Sequence, residues 1–169
     1  MPESVFYEGA NSFQRLVRRF AASGPGAWVF ARIAPQLDRP VHGLTRGRHT
    51  VGSLLSGLPV VMLTTTGARS GEPRTVPVLG IPFREGEGIA VIASNWGQRR
   101  HPAWYHNLRA HPEAYVVVGG AGRRVRAVEA DGEQRGEIWR EGLRVYPGFA
   151  EYERRAPHRH ISVFVLEPV

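Results

Sequence analysis

Residues 63–83 read LTTTGARSGEPRTVPVLGIPF, and after a turn residues 89–112 read IAVIASNWGQRRHPAWYHNLRAHP. The first of these stretches decides the fold. Leu58 to Thr65 is apolar and β-branched, which predicts a buried strand ending at Gly67. Arg74 to Phe83 predicts the next strand, and Pro73, Pro77 and Pro82 put it at an edge or a bulge, because proline cannot donate to a ladder. The turn at Gly67 is too short for the crossover that a parallel pair needs. The sheet is therefore expected to be antiparallel.

Working outward, Gly86 to Gly88 turns the chain into a third strand over 88–95. A compact helix follows between His101 and Pro112, with Pro102 in its first turn and Pro112 stopping it. Tyr115 to Val118, a GGAG turn and Arg123 to Ala130 read as a hairpin. Asp131 with Gln134 resembles a capping box for a helix running to about Tyr146, and Ile161 to Leu166 is the last strand. Six short strands with hairpin turns and interspersed helices predict a mainly β, α+β fold: an antiparallel sheet curled into a small barrel with helices outside. Residues 58–169 form that barrel. Residues 1–57 form a helical segment packed on or flanking it, the whole being one structural domain. Within this segment Phe13, Leu16, Val17 and Phe20 recur as on one helical face over residues 11–22, and GAWVFARIAP makes a second short apolar helix. Leu37 to Leu58 is connecting structure.

All 22 basic residues are arginine, against 15 acids, a formal charge of +7. An anionic partner is expected, and arginine's planar fork suits phosphate and carboxylate. The absence of lysine excludes a P-loop lysine and a Schiff base. The absence of cysteine excludes a cysteine nucleophile and cysteine-ligated zinc, and suits the cytoplasm. No apolar run approaches bilayer length, so a soluble or at most peripheral protein is expected. The arginines are dispersed and accompany no recognisable motif helix or aromatic platform, which argues against a nucleic-acid module.

Three constellations carry chemistry. In Gly67-Ala68-Arg69-Ser70-Gly71-Glu72-Pro73-Arg74, following Thr65, glycines let the backbone approach a ligand while Ser70, Arg69 and Arg74 supply a hydroxyl and two guanidinium groups. It reads as a phosphate cradle. Ala93-Ser94-Asn95-Trp96-Gly97 closes a strand and leads into the helix bearing Trp104 and Asn107, where a flat heteroaromatic ring could pack and be oriented. Tyr146, Phe149 and Tyr152 are spaced as on one helical face and suit a pocket wall with polar tips. His101, His106 and His111 recur at five and turn around a helix, so no metal site is expected. Gly119-Gly120-Ala121-Gly122 fits a hairpin better than a dinucleotide fingerprint. With no serine-hydrolase elbow and no placed carboxylate pair, a cofactor is expected to do the chemistry.

These residues resemble the deazaflavin-dependent nitroreductases of the flavin/deazaflavin oxidoreductase superfamily, common in actinobacteria. The resemblance runs from about Leu58 to Pro168. It rests on LTTTGxxSGxxR at Leu63 to Arg74, on Ala93-Ser94 followed by Gly97, on PAWYHNLxAxP at Pro102 to Pro112, and on Tyr146, Tyr152 and the closing Glu167-Pro168. It implies a split β-barrel like that of FMN-binding proteins and coenzyme F420 as cofactor, with FMN the runner-up. Arg69, Ser70, Gly71 and Arg74 would then hold the cofactor's phosphate and anionic tail, with Thr65, Gly67, Pro77 and Val78 around the cradle. Ala93, Ser94, Asn95, Trp104 and Asn107 would border the ring, and Ser94, Tyr146, Tyr152 or water would supply a proton after hydride transfer to a quinone, activated alkene or nitro compound. Ala68 stands where many relatives carry a basic residue, and Phe149 where some carry tyrosine. A monomer or homodimer is expected, and residues 11–22 would suit access to a membrane-dissolved quinone. A non-catalytic lipid- or tetrapyrrole-binding protein is the alternative from another class.

Overall fold

The structure, a computed structural model, describes Leu16, Ser23, residues 58–84 and residues 88–169. The helices expected within residues 1–57 and the turn at Gly86 lie outside the described residues. Seven strands are described: β1 Val60–Thr66, β2 Pro73–Leu79, β3 Ile81–Phe83, β4 Gly88–Ile92, β5 Glu113–Val118, β6 Ala121–Glu129 and β7 Val163–Pro168. They form one sheet in the order β2-β1-β5-β6-β7-β4-β3, with every pairing antiparallel.

The strand expected over Arg74 to Phe83 is two strands that meet at Gly80. β2 pairs with β1 at one end of the sheet, and β3 pairs with β4 at the other. Since only Gly80 separates them, the sheet's two ends are covalently adjacent, which curls it into a split barrel. At the junction Gly80 N–H donates to Pro59 O at 2.8 Å. A β-carbon on Gly80 would stand 2.8 Å from Val61 Cγ1 on β1 and 3.3 Å from Ile89 Cγ2 on β4. Glycine is what lets strands from both ends approach there. Pro73 and Pro77 on β2 and Pro82 on β3 lie on the terminal strands, where their missing N–H groups leave fewer ladder bonds unmade.

Two apolar layers follow from the period of two. Ile89 and Val91 of β4, with Phe164 and Leu166 of β7, join Val61, Leu63, Val116 and Val125 inside the barrel. Ala90, Ile92, Val163 and Val165 face the other way, against the helices α2 Gly132–Val145 and α3 Gly148–Arg155. Burial on both faces explains why β4 and β7 are written as nearly continuous apolar runs. The remaining described helix, α1 Ala103–Ala110, contributes Trp104, Tyr105 and Leu108 to the barrel interior.

Three local expectations are corrected. The hairpin turn is Gly119-Gly120 alone, both at positive φ, with Val118 paired to Ala121; the remaining glycine, Gly122, belongs to β6, where Tyr115 covers it. Asp131 occupies the N-cap of α2 but makes no side-chain cap hydrogen bond. Tyr146, Phe149 and Tyr152 do not share one helix: Tyr146 ends α2, and Pro147 turns the chain into α3.

Replacing Gly80 with alanine forces the new methyl against two β-branched core side chains. The expected loss is about 1–3 kcal/mol, as for other overpacked sites. Denaturant unfolding of Gly80→Ala checks it; an unchanged midpoint would show that the barrel is not closed this tightly at Gly80.

Candidate functional site

The β1–β2 turn is braced by its own backbone. Gly67 N–H donates to Glu72 O at 2.8 Å, Gly71 N–H to Gly67 O at 2.9 Å, and Glu72 N–H to Ser70 Oγ at 3.3 Å. Gly71 sits at φ +69°, a left-handed conformation that favours glycine. A β-carbon on Gly67 would stand 2.5 Å from Ser70 Oγ, so that hydroxyl folds over bare backbone. Arg69, Ser70 and Arg74 are exposed. The alternation that points Val76 and Val78 toward the barrel interior carries Arg74 to the rim on the same face, opposite Thr65. Pro77, one residue off that register, lies on the opposite face of β2 from Val78, so the two do not share one surface.

Asn107 ties this turn to α1. Its Nδ2 donates to Thr65 Oγ1 at 2.9 Å, and its Oδ1 accepts from Ala68 N–H at 2.9 Å. Both ends of one buried amide are therefore committed to the cradle. Asn107 was expected at the ring edge; its observed contacts are with the β1–β2 turn. Ala68, noted for its missing cation, contributes its backbone N–H to this clamp. Trp104 lies edge-on to Phe164 at 6.2 Å within the barrel core, one helical turn before Asn107.

The second constellation is a turn in an uncommon conformation. Asn95, Trp96 and Gly97 have φ of 46°, 58° and 73°. For the two that are not glycine this conformation costs of order 1–2 kcal/mol each and must be held from outside. Asn95 Nδ2 donates to Arg100 O at 2.8 Å, closing its own loop. Ala93 is fully buried, and its N–H donates to Ser162 O at 2.8 Å. Ser94 is 9% exposed and follows directly. Gly97 backs onto α3 so closely that a β-carbon there would lie 3.0 Å from Tyr152 Cα.

The main external brace is Arg159, which the sequence did not single out. Its Nε donates to Gln98 O at 3.0 Å, Nη1 to Ala93 O at 3.1 Å, and Nη2 to Ser94 O. Nη1 also lies 3.4 Å from His101 Nδ1. Burial lowers the pKa of this guanidinium, with Tyr105 opposing the shift. Residue 159 lies in an unremarkable His-Arg-His run between α3 and β7, and no spacing rule connects it to residues more than 60 positions earlier.

Tyr146 and Tyr152 hydroxyls are 2.9 Å apart and buried, and the Trp96 ring meets Tyr152 edge-on at 6.0 Å. Burial first, then the contact with Tyr146, pushes Tyr152 well above the usual tyrosine range, against a smaller opposing pull from Arg155. It stays protonated at any ordinary pH. His101, stacked on Tyr105 at 4.0 Å, is shifted the other way. Desolvation, then Arg159 and His106, lower its pKa; Glu129 opposes and Arg109 adds a little. The structure thus gathers Thr65, Gly67 to Gly71, Arg74 and Asn107 in one group, and Ser94 to Gly97 with Tyr146 and Tyr152 in another. α1 joins them, its first residue about 6 Å along the axis from Asn107. Among the described residues no group of three His, Cys, Asp or Glu could hold a metal ion, and no helix is long and apolar enough to cross a membrane.

Comparison with known proteins gives a consistent set. A family model for F420H(2)-dependent quinone reductases matches residues 39–168. The F420H(2)-dependent quinone reductase Rv1261c of Mycobacterium tuberculosis is 35% identical over 94 residues, 54% of this chain and 62% of that protein. The match thus spans about three fifths of that relative's length. Rv3178 of the same organism, provisionally given the same designation, is 32% identical over 111 residues, 66% of this chain and 91% of that protein. Among solved structures, the F420-H2 dependent reductase FDR-A superposes with a TM-score of 0.58 at 38% identity, covering 64% of this chain and 94% of that one. A chain solved as a domain-swapped dimer superposes with a TM-score of 0.61 at 32% identity, covering 85% and 100%.

Asn107→Ala strips partners from the Thr65 hydroxyl and the Ala68 N–H together, an expected cost of about 1–3 kcal/mol. Hydrogen exchange at the Ala68 amide should accelerate at least tenfold while core β1 amides stay slow; equal protection in the variant would contradict the clamp. His101 gives a pH prediction. Its folded pKa lies below the ordinary value of about 6.5, so the unfolded chain takes up the proton first as pH falls. Its contribution to stability is complete above about pH 6.5 and is lost as pH falls through the lower folded value. The drop in thermal midpoint from pH 7 to 5 should be smaller in His101→Gln than in the parent.

Proposed function

This chain belongs to the F420H(2)-dependent quinone reductase family, and on that premise we propose that it is an oxidoreductase that uses reduced coenzyme F420 to reduce a small electron-poor acceptor, quinones first among them. The observation that carries the reading is the arginine-rich cradle clamped to α1 by Asn107, with a second, rigidly held turn at the other end of that helix. The donor set suits the group. Arg69 and Arg74 offer exposed guanidinium groups, and the exposed Ser70 offers a hydroxyl, for the phosphate and carboxylates of a deazaflavin's tail. The charge of +7 favours the approach of such an anion.

When bound, F420H2 supplies a hydride to the acceptor. The chain's own work is positional. Arg69, Ser70 and Arg74 would hold the anionic end, and Thr65 and Asn107 fix the turn that carries them. Ser94, with Ala93 and Asn95 beside it, would border the ring, while Trp104 stiffens α1 from within the core. The Tyr146–Tyr152 hydroxyl pair adjoins the Ser94 turn, and Ser94, one of these tyrosines or water would supply a proton to the reduced acceptor. Tyr152's raised pKa makes it a donor only toward a strongly basic developing anion. Phe149, between these tyrosines, keeps the wall apolar and helps exclude water.

The same reading extends to partners. A homodimer is supported by the relative solved as a domain-swapped dimer, and a cytoplasmic setting by the cysteine-free composition. The amphipathic pattern of residues 11–22 supports contact with an anionic membrane carrying the quinone. Vesicle co-sedimentation that persists unchanged in Phe13→Glu would remove that part of the proposal.

Fluorescence titration with F420 tests the whole. Saturation by F420 and not by FMN is expected, with Arg74→Ala weakening it about tenfold, or about 1.4 kcal/mol. F420H2 oxidation should then depend on an added soluble quinone. Absence of F420 binding by the parent protein would overturn the proposal and turn attention to a lipid or tetrapyrrole ligand.

A further inference from the structure

Arg159 lies in the loop between α3 and β7, far in sequence from the turn it holds. Three carbonyls, of Ala93, Ser94 and Gln98, converge on its guanidinium, each taken by a different nitrogen. A lysine ammonium is a point charge on a flexible stem and cannot reproduce this planar fork. The arginine is itself fixed, since its own N–H donates to Ala156 O at 3.2 Å and Ser162 O in the same connection takes the Ala93 N–H. The turn it grips is a costly one, because Asn95 and Trp96 are both left-handed without being glycine. Within that turn Gly97 N–H donates to Ser94 O and Gln98 N–H to Asn95 O. Ser94 O therefore receives from the turn and from Arg159 at once, and the orientation of residue 94 is set at its carbonyl.

We propose that Arg159 is a positioning residue for the cofactor: it fixes the Ala93–Gln98 turn and so aims Ser94 at the ring. The proposal rests on the functional reading above and adds to it the residue through which Ser94 acts. His101 shares the assembly. Its Nδ1 faces Arg159 Nη1 and serves as an acceptor when the ring is neutral with its proton on Nε2. The charged or titratable groups acting on it are Arg159, His106, Glu129 and Arg109.

The test is a double-mutant cycle in the full chain, combining Arg159→Lys with Ser94→Ala. F420 dissociation constants, thermal midpoints and amide exchange at Gly97 and Gln98 are measured together. Arg159→Lys is expected to weaken F420 about tenfold and to speed exchange at Gly97 and Gln98 at least tenfold, with β1 amides unchanged. Once Arg159 is replaced, Ser94→Ala should weaken binding no more than twofold further. In Arg159→Gln, which removes the neighbouring charge, the NMR titration of His101 should move up toward the ordinary histidine value. Losses that multiply independently, exchange that is unchanged, or F420 affinity unchanged in Arg159→Lys would overturn this proposal alone. A parent protein that fails to bind F420 would overturn it together with the functional reading.

Discussion

The structure depends on one constraint, the passage of the backbone at Gly80 between Val61 and Ile89. Because the chain turns there without a side chain, β2 and β3 can lie at opposite ends of the same sheet and still be consecutive in sequence. Everything inside the barrel follows from that closure. Val61, Leu63, Val91 and Val116 bury against one another only because the sheet curls, and each such side chain is worth about 1.5–3 kcal/mol when removed from water. A flat sheet would leave that face open, and α1 would have nothing to seat on.

With α1 seated, the candidate site is assembled from two turns that do not touch through their own sequence. Leu108, Tyr105 and Trp104 anchor the helix in the barrel, which leaves Asn107 to reach the β1–β2 turn. At the other end of the helix, the Asn95–Gly97 turn is pressed against α3 and gripped by Arg159. Rigidity at both ends is what a hydride-transfer site requires, since donor and acceptor must be held in reach and in line while water is excluded. The exposed part of the site is its arginine rim, where an anionic ligand meets little desolvation cost on entry. Toward the interior, charge is disfavoured: buried Tyr152 keeps its proton, and desolvation works against the charge on half-buried His101.

Much of this was legible in the sequence. The β-branched run ending at Gly67, the turn after it that is too short for a crossover, and the prolines of β2 and β3 pointed to the antiparallel barrel. The tight turn between β1 and β2 was legible from Gly67 and Gly71, while glycine, hydroxyl and arginine at this spacing fit an ordinary surface turn as well as an anion cradle. What escaped notice was long-range and polar. Nothing in LGIP distinguishes a strand that bends at Gly80 from one that runs through, since the difference lies in what approaches from β1 and β4. Asn107 reads equally well as a ligand contact or a clamp until Thr65 and Ala68 are seen beside it. Arg159 carries no local signal at all, as its partners are carbonyls, which every residue has. The tyrosine stripe misled because Pro147 breaks the helix that its spacing assumed.

On the proposed function, the β1–β2 cradle and the Ser94 turn, joined through α1, are two ends of one cofactor site. Amide chemical-shift mapping during an F420 titration tests it most directly. Shifts are expected at Arg69 to Gly71, Arg74 and Ser94 to Gly97, saturating together at one concentration, with the Gly119-Gly120 hairpin tip silent. Shifts confined to one of the two turns, or centred on that hairpin, would contradict it.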